Sequence, residues 1–109
     1  MFEQIKKDSP DAFKVWNNYI SKYDQLWDLK PLESVIGWLL TFFDEQGIHI
    51  VIEYVCRLLS GGACYRYEVN SSRTSDRRVT LDWFKSRLEA WQSAIPKAFE
   101  ILQKQLEEK

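Results

Sequence analysis

Metal-binding and disulfide-forming residues are scarce in this chain. It holds one histidine, His49, and two cysteines, Cys56 and Cys64, among 109 residues. A structural zinc site normally takes four Cys or His ligands, so no metal is expected. His49 and Glu53 stand four apart on a strand, about 13 Å by the usual rise, too far for one ion. If 48–58 and 63–70 form a hairpin, Cys56 and Cys64 fall on opposite faces, and a bridge cannot close between faces. Two reduced thiols are expected. Long apolar runs are missing too. The longest, Val35–Phe43, is far short of the ~20 residues a spanning helix needs. The opening MFEQIKKDSP has no apolar stretch of the secretory kind. The expectation is a protein without membrane segments, located in the cytoplasm.

Catalytic signatures are equally scarce. There is no Gly-x-Ser-x-Gly, no phosphate loop and no supported Cys/His pair. Gly61-Gly62 is too short to cradle phosphate, and a hairpin turn explains it. No enzyme and no cofactor are expected.

What is abundant is apolar and aromatic material: 45% hydrophobic and 15% aromatic residues, enough for one domain, 1–109, with a core. The organising stretch is Val35–Arg57. Leu32, Val35, Ile36, Leu39, Leu40 and Phe43 recur at spacings of three and four, which predicts a helix over about 32–46. Gly47 then reads as a left-handed helix stop, with Phe43 and Ile48 as the apolar pair that packs across it. The rival reading is a hairpin turning at Asp44–Gly47. Ile48–Leu58 is rich in β-branched residues and predicts a strand. Its two faces both carry apolar groups, which suits a central position in a sheet.

Upstream, Ser9-Pro10-Asp11 reads as a helix start, with serine as the cap. Phe13, Trp16, Ile20, Tyr23 and Trp27 form one stripe, and the helix is expected to end at Lys30-Pro31. Downstream, Ser60-Gly61-Gly62 predicts a turn, and 63–70 alternates as a half-buried strand with Tyr65, Tyr67 and Val69 inward. The polar run 71–78 predicts a mobile loop. Two readings of the next residues stay open. Thr80 can cap a helix, or Val79, Leu81 and Trp83 alternate as a third strand before a helix that starts at Ser86. The second is preferred, because Ser86 and Glu89 form a capping box. Leu88, Trp91, Ile95, Phe99, Leu102 and Leu106 carry that helix to the C-terminus, and Pro96 should kink it. The fold class is therefore α+β: two N-terminal helices, an antiparallel sheet of two or three strands, and a long C-terminal helix on one sheet face.

A resemblance supports this order. Trp38-Leu39, Gly47-Ile48-His49-Ile50, Tyr65, Tyr67, Phe84-Lys85-Ser86-Arg87-Leu88-Glu89-Ala90, Ala94-Ile95 and 97–102 resemble short uncharacterised α+β proteins of bacterial prophages and mobile elements, over about residues 37–102. It implies a helix, a hairpin, a C-terminal helix and a phage-related origin. It implies no activity and assigns no site residue. Pro96, the loop 71–78 and the first helix depart from that pattern.

Two surfaces are candidates for binding. Helix 32–46 is apolar around more of its girth than one small sheet can cover. Trp38 and Phe42 lie off the Val35/Leu39 stripe and could face a protein partner or a second copy in a homodimer. The leading expectation is thus a small non-enzymatic protein-interaction protein. The second surface is basic. All six arginines fall within 57–87, where seven positive residues meet three acidic ones. Arg66, Arg73, Arg77 and Arg78 could grip nucleic acid or another anion, with Tyr65 and Tyr67 as a stacking platform. The plainer alternative is a solvated loop, strand arginines paired with Glu53 and Glu68, and tyrosines in the core.

Overall fold

The computed structural model describes residues 1–57, 62–79 and 83–108, without the side chains of 55–57, 62 and 63. The order is α1 (Phe2–Asp8), α2 (Pro10–Ile20), a short 3-10 turn (Trp27–Leu29), α3 (Leu32–Glu45), β1 (Ile48–Arg57), β2 (Gly62–Ser71), β3 (Arg77–Val79) and α4 (Arg87–Glu107). The strands form one antiparallel sheet in the order β1-β2-β3. The class is α+β, with a long C-terminal helix. α4 packs on β1 and β2, while α1 and α2 pack on α4, and α3 links α2 to β1.

The α3–β1 joint is as the sequence indicates, and the hairpin alternative there is excluded. Gly47 has φ 76°, and its N–H donates to the Asp44 carbonyl at 3.1 Å. Phe43 and Ile48, on either side of the stop, are both fully buried in the core. A Cβ on Gly47 would stand 2.9 Å from Ser72 Oγ and 3.0 Å from Arg73 Cγ. Glycine is therefore required twice, by the left-handed backbone and by the close approach of the loop after β2. Gly47→Ala is expected to lose roughly 1–3 kcal/mol of stability, from left-handed strain plus displacement of that loop. Urea denaturation measures it; a loss below about 0.5 kcal/mol would mean the loop yields freely.

Several boundaries differ from the sequence reading. A helix, α1, precedes Ser9 and buries Ile5. α2 stops at Ile20 and does not continue to Lys30. The Asp24 carboxylate accepts from the Leu26 N–H at 3.0 Å, forming the local turn that competes with helix. Trp27 is nonetheless buried, edge-on to Trp16 at 5.4 Å. Ser9 makes no side-chain cap on α2. β1 is an edge strand and β2 the central one, contrary to the apolar pattern of β1. β3 lies at 77–79, so Arg77 and Arg78 belong to a strand, and the loop shrinks to 72–76. Phe84 bridges Tyr65 beyond it. The turn at Ser60-Gly61, Thr80 and Leu81 lie outside the described residues.

α4 opens with the expected capping residues. Ser86 Oγ accepts from the Glu89 N–H at 3.1 Å, while the Glu89 carboxylate accepts from the N–H of Lys85. The helix runs on through Pro96. Ala90, Ala94 and Ala98 are fully buried beside Ile95, Phe99, Ile101 and Leu102. Small residues at this spacing let neighbouring elements approach the helix closely, so it is buried on more than one side.

Candidate interaction surface

The arginines do not form one site. Arg66 lies on the sheet face away from α4 and donates to Glu53 at 2.7 Å, the residue opposite it in register. That hydrogen bond, then the Glu53 charge, holds the Arg66 guanidinium above its ordinary pKa. Arg77 pairs with Glu68 on the same face. Arg78 sits opposite Val69 in the register, so its side chain leaves from the other face. It lies 3.8 Å from Asp76. Arg73 reaches across to the C-terminus of α3 and donates to the Glu45 carbonyl at 2.9 Å. There it neutralises the negative end of that helix. Each of the four is engaged within the chain, in three separate places. No register argument could have placed Arg73, whose partner lies 28 positions away.

The loop that carries Arg73 is tied down. Ser71 Oγ accepts from the N–H groups of Arg73 and Thr74, both at 3.2 Å, and donates to Gln105 on α4. The Asp76 carboxylate accepts from Thr74 Oγ1 at 2.8 Å and from Lys104 Nζ at 3.0 Å. The Thr74 bond first, then the Lys104 bond, holds its pKa below the ordinary carboxylate range. The polar run predicts a mobile loop; in the structure Ser71, Ser72, Thr74 and Asp76 all take bonds within the chain.

The tyrosines divide. Tyr67 is buried and stacks with Phe84 at 6.1 Å. Tyr65 is half-buried, edge-on to Tyr54, with the Arg87 guanidinium over its ring. His49 is exposed and bonded to Asp44 at 3.2 Å. Among the described residues, no three His, Cys, Asp or Glu side chains cluster as metal ligands would. Cys64 carries a free thiol and faces Val55, not Cys56, in the register; the side chain of Cys56 lies outside the described residues. A hollow of about 540 Å³ near α1 is lined by Phe2, Phe13, Trp27, Lys6 and Asp28 among others. It holds no histidine, serine or cysteine.

The two residues proposed for a partner surface part company. Phe42 is 0% exposed, enclosed by Trp16 at 5.4 Å, Tyr19 at 5.2 Å and Phe43 at 5.2 Å. It is a core residue, because α2 packs on that side of α3. Trp38 is 39% exposed and stacks on exposed Tyr23, with centroids 4.7 Å apart. Leu26 and Leu29, in the same α2–α3 connection as Tyr23, are also exposed, Leu29 at 78%. The sequence stripe had assigned Tyr23 to the core. Once α2 ends at Ile20, Tyr23 leaves the stripe and joins Trp38 at the surface. Asp24, a turn-forming residue placed mid-stripe, was the available signal.

No helix among the described residues is long and apolar enough to cross a membrane. No family model matches the chain, and neither a curated protein nor a solved structure matches it.

Proposed function

We propose that this chain acts by binding another protein rather than by catalysis, and that its contact surface is the α2–α3 connection with Trp38. The observation that carries this reading is the exposed Tyr23–Trp38 stack, together with exposed Leu26 and Leu29. Large apolar groups left in water are unfavourable. Tryptophan and tyrosine are enriched where interfaces concentrate their binding energy. Stacking holds both rings in place before contact, so little side-chain entropy remains to be lost on binding. The internal pairing of Arg66, Arg73, Arg77 and Arg78 leaves the anion-binding alternative without comparable support.

The test is site-specific photo-crosslinking in cells that make the protein naturally. Leu29→p-benzoylphenylalanine is compared with the same substitution at Glu100, an exposed position on α4. The expected result is a discrete adduct at position 29 only. It should disappear when Trp38→Ser is added, with the circular dichroism spectrum unchanged. An adduct of twice the 13.0 kDa chain mass would identify the partner as a second copy. Identical labelling at both positions, or none at position 29, would overturn the reading.

A further inference from the structure

β1 is built like a central strand and sits at an edge. Its phase is fixed by the Gly47 carbonyl, which accepts from the Ser72 N–H at 2.8 Å. Hydrogen-bonded pairs alternate along an antiparallel ladder. His49, Val51 and Glu53 therefore exchange their backbone bonds with Asn70, Glu68 and Arg66. The N–H and C=O groups of Ile48, Ile50, Ile52 and Tyr54 then point away from β2. The other side of β2 agrees: Ser71 and Tyr65 turn their N–H groups toward Asp76 and Phe84. Among the described residues, no hydrogen bond reaches the outward groups of β1.

Soluble proteins commonly blunt such an edge with lysine, proline or a bulge. From Ile48 to Tyr54 there is no lysine, no proline and no break in the register. Beside the edge, exposed His49 and Glu53 flank Val51 on one face, and the remaining side chains are apolar or aromatic and partly open. Val51 is 51% exposed on one face and Tyr54 56% on the other, while Ile50 and Ile52 are half-buried.

The sequence is also self-complementary about Val51. Let two copies of β1 run antiparallel with the two-fold axis at Val51. Ile50 then meets Ile52 of the second copy, and Ile48 meets Tyr54. These are the residues whose backbone groups point outward, so each pair exchanges both bonds. On the other face Val51 meets Val51, and His49 meets Glu53, twice by symmetry. Asp44 already binds His49, and Arg66 already binds Glu53, so the polar side chains Asp44, His49, Glu53 and Arg66 would line up across the joint. Moving the axis to Ile50 or Ile52 sets Val51 against His49 or Glu53. Moving it to Glu53 sets two carboxylates face to face, which is unfavourable.

We propose that β1 is a self-association edge: two copies of this chain join through antiparallel β1–β1 pairing centred on Val51. The product is a continuous six-stranded sheet in which β1 is central, as its two-faced apolar pattern demands. The proposal is independent of the Tyr23–Trp38 surface.

Sedimentation equilibrium over a range of concentrations tests it. The parent chain should dimerise. Val51→Lys would set two ammonium groups against each other at the axis, and should weaken dimerisation at least about tenfold. Val51 is half-exposed, so the fold should survive; an unchanged circular dichroism spectrum checks this. Val51 pairs with itself at a non-hydrogen-bonded position, where Cα atoms stand about 4.5 Å apart, within disulfide reach. Val51→Cys should therefore give a covalent dimer on mild oxidation, and the parent chain should not. A parent chain that stays monomeric to about 1 mM would overturn the proposal. So would a dimer that Val51→Lys leaves intact and Trp38→Ser dissociates.

Discussion

Phe42→Ala is expected to destabilise the fold by about 3–5 kcal/mol, a large share of the roughly 5–15 kcal/mol that holds a domain of this size. Phe42 is fully enclosed, with the rings of Trp16, Tyr19 and Phe43 around it. Removing the ring loses its transfer energy and leaves a cavity that Trp16 and Tyr19, held on α2, can only partly fill. The urea midpoint should fall steeply with an unchanged slope. Trp38→Ser should do much less, because the Trp38 ring already faces water on one side and rests on an exposed tyrosine. The contrast separates two neighbouring aromatics that the helical pattern alone treats alike. If Phe42→Ala cost no more than Trp38→Ser, the packing of α2 on α3 would be wrong.

That pair also marks where sequence reasoning reaches its limit. Both residues lie off the Val35/Leu39 stripe, and local periodicity says only that they point elsewhere. Which one is covered depends on the position of α2, a tertiary fact. The α3–Gly47–β1 joint was legible because its causes are local: a helical period, a left-handed glycine and an apolar pair across it. The pairing of Arg66 with Glu53 was legible as soon as two strands were laid side by side; that of Arg77 with Glu68 was not, because Arg77 reads as part of the polar run 71–78 and joins the sheet only through β3. Arg73 was not, since its carbonyl partner on α3 is made available by the helix end and not by any side-chain pattern. The early end of α2 was missed because Tyr23 and Trp27 continue the stripe in phase. The turn at Asp24 stops the helix, and Trp27 re-enters the core from the 3-10 turn instead.

The edge position of β1 is the other informative failure. Apolar residues on both faces pointed to a central strand, and in the single chain β1 is not central. Local pattern and tertiary position usually agree in a well-specified sequence, and a conflict between them tends to fall at functional sites. The sequence in this case is better matched to a sheet that continues past β1 than to one that stops there. This is the consistency that pairing about Val51 restores.

Gln103→Leu is expected to cost about 2–4 kcal/mol, although glutamine is polar and sits one position off the apolar stripe of α4. The residue is 9% exposed. Its Oε1 accepts from the N–H groups of Asp11 and Ala12 at 2.9 and 3.0 Å, and its Nε2 donates to the Asp11 and Glu107 carboxylates at 3.1 Å each. The first-turn N–H groups of a helix have no partner within the helix, and a side chain at the cap normally supplies one. Ser9 occupies the cap of α2 but gives no side-chain bond; its N–H instead closes α1 onto the Ile5 carbonyl at 2.7 Å. Gln103 thus caps α2 from across the fold and ties the first helices to the last. Leucine would keep the buried volume and strand both N–H groups, each costing roughly 1–3 kcal/mol when left without water. Gln103→Glu keeps an acceptor at the positive helix end but sets a negative charge beside Asp11 and Glu107, so its loss should be smaller than that of leucine. Urea denaturation gives the ordering, and hydrogen exchange locates it: the amides of Asp11 and Ala12 should lose protection ahead of those in α3. A leucine variant within about 0.5 kcal/mol of the parent would show that water reaches these amides and that the cap across the fold is dispensable.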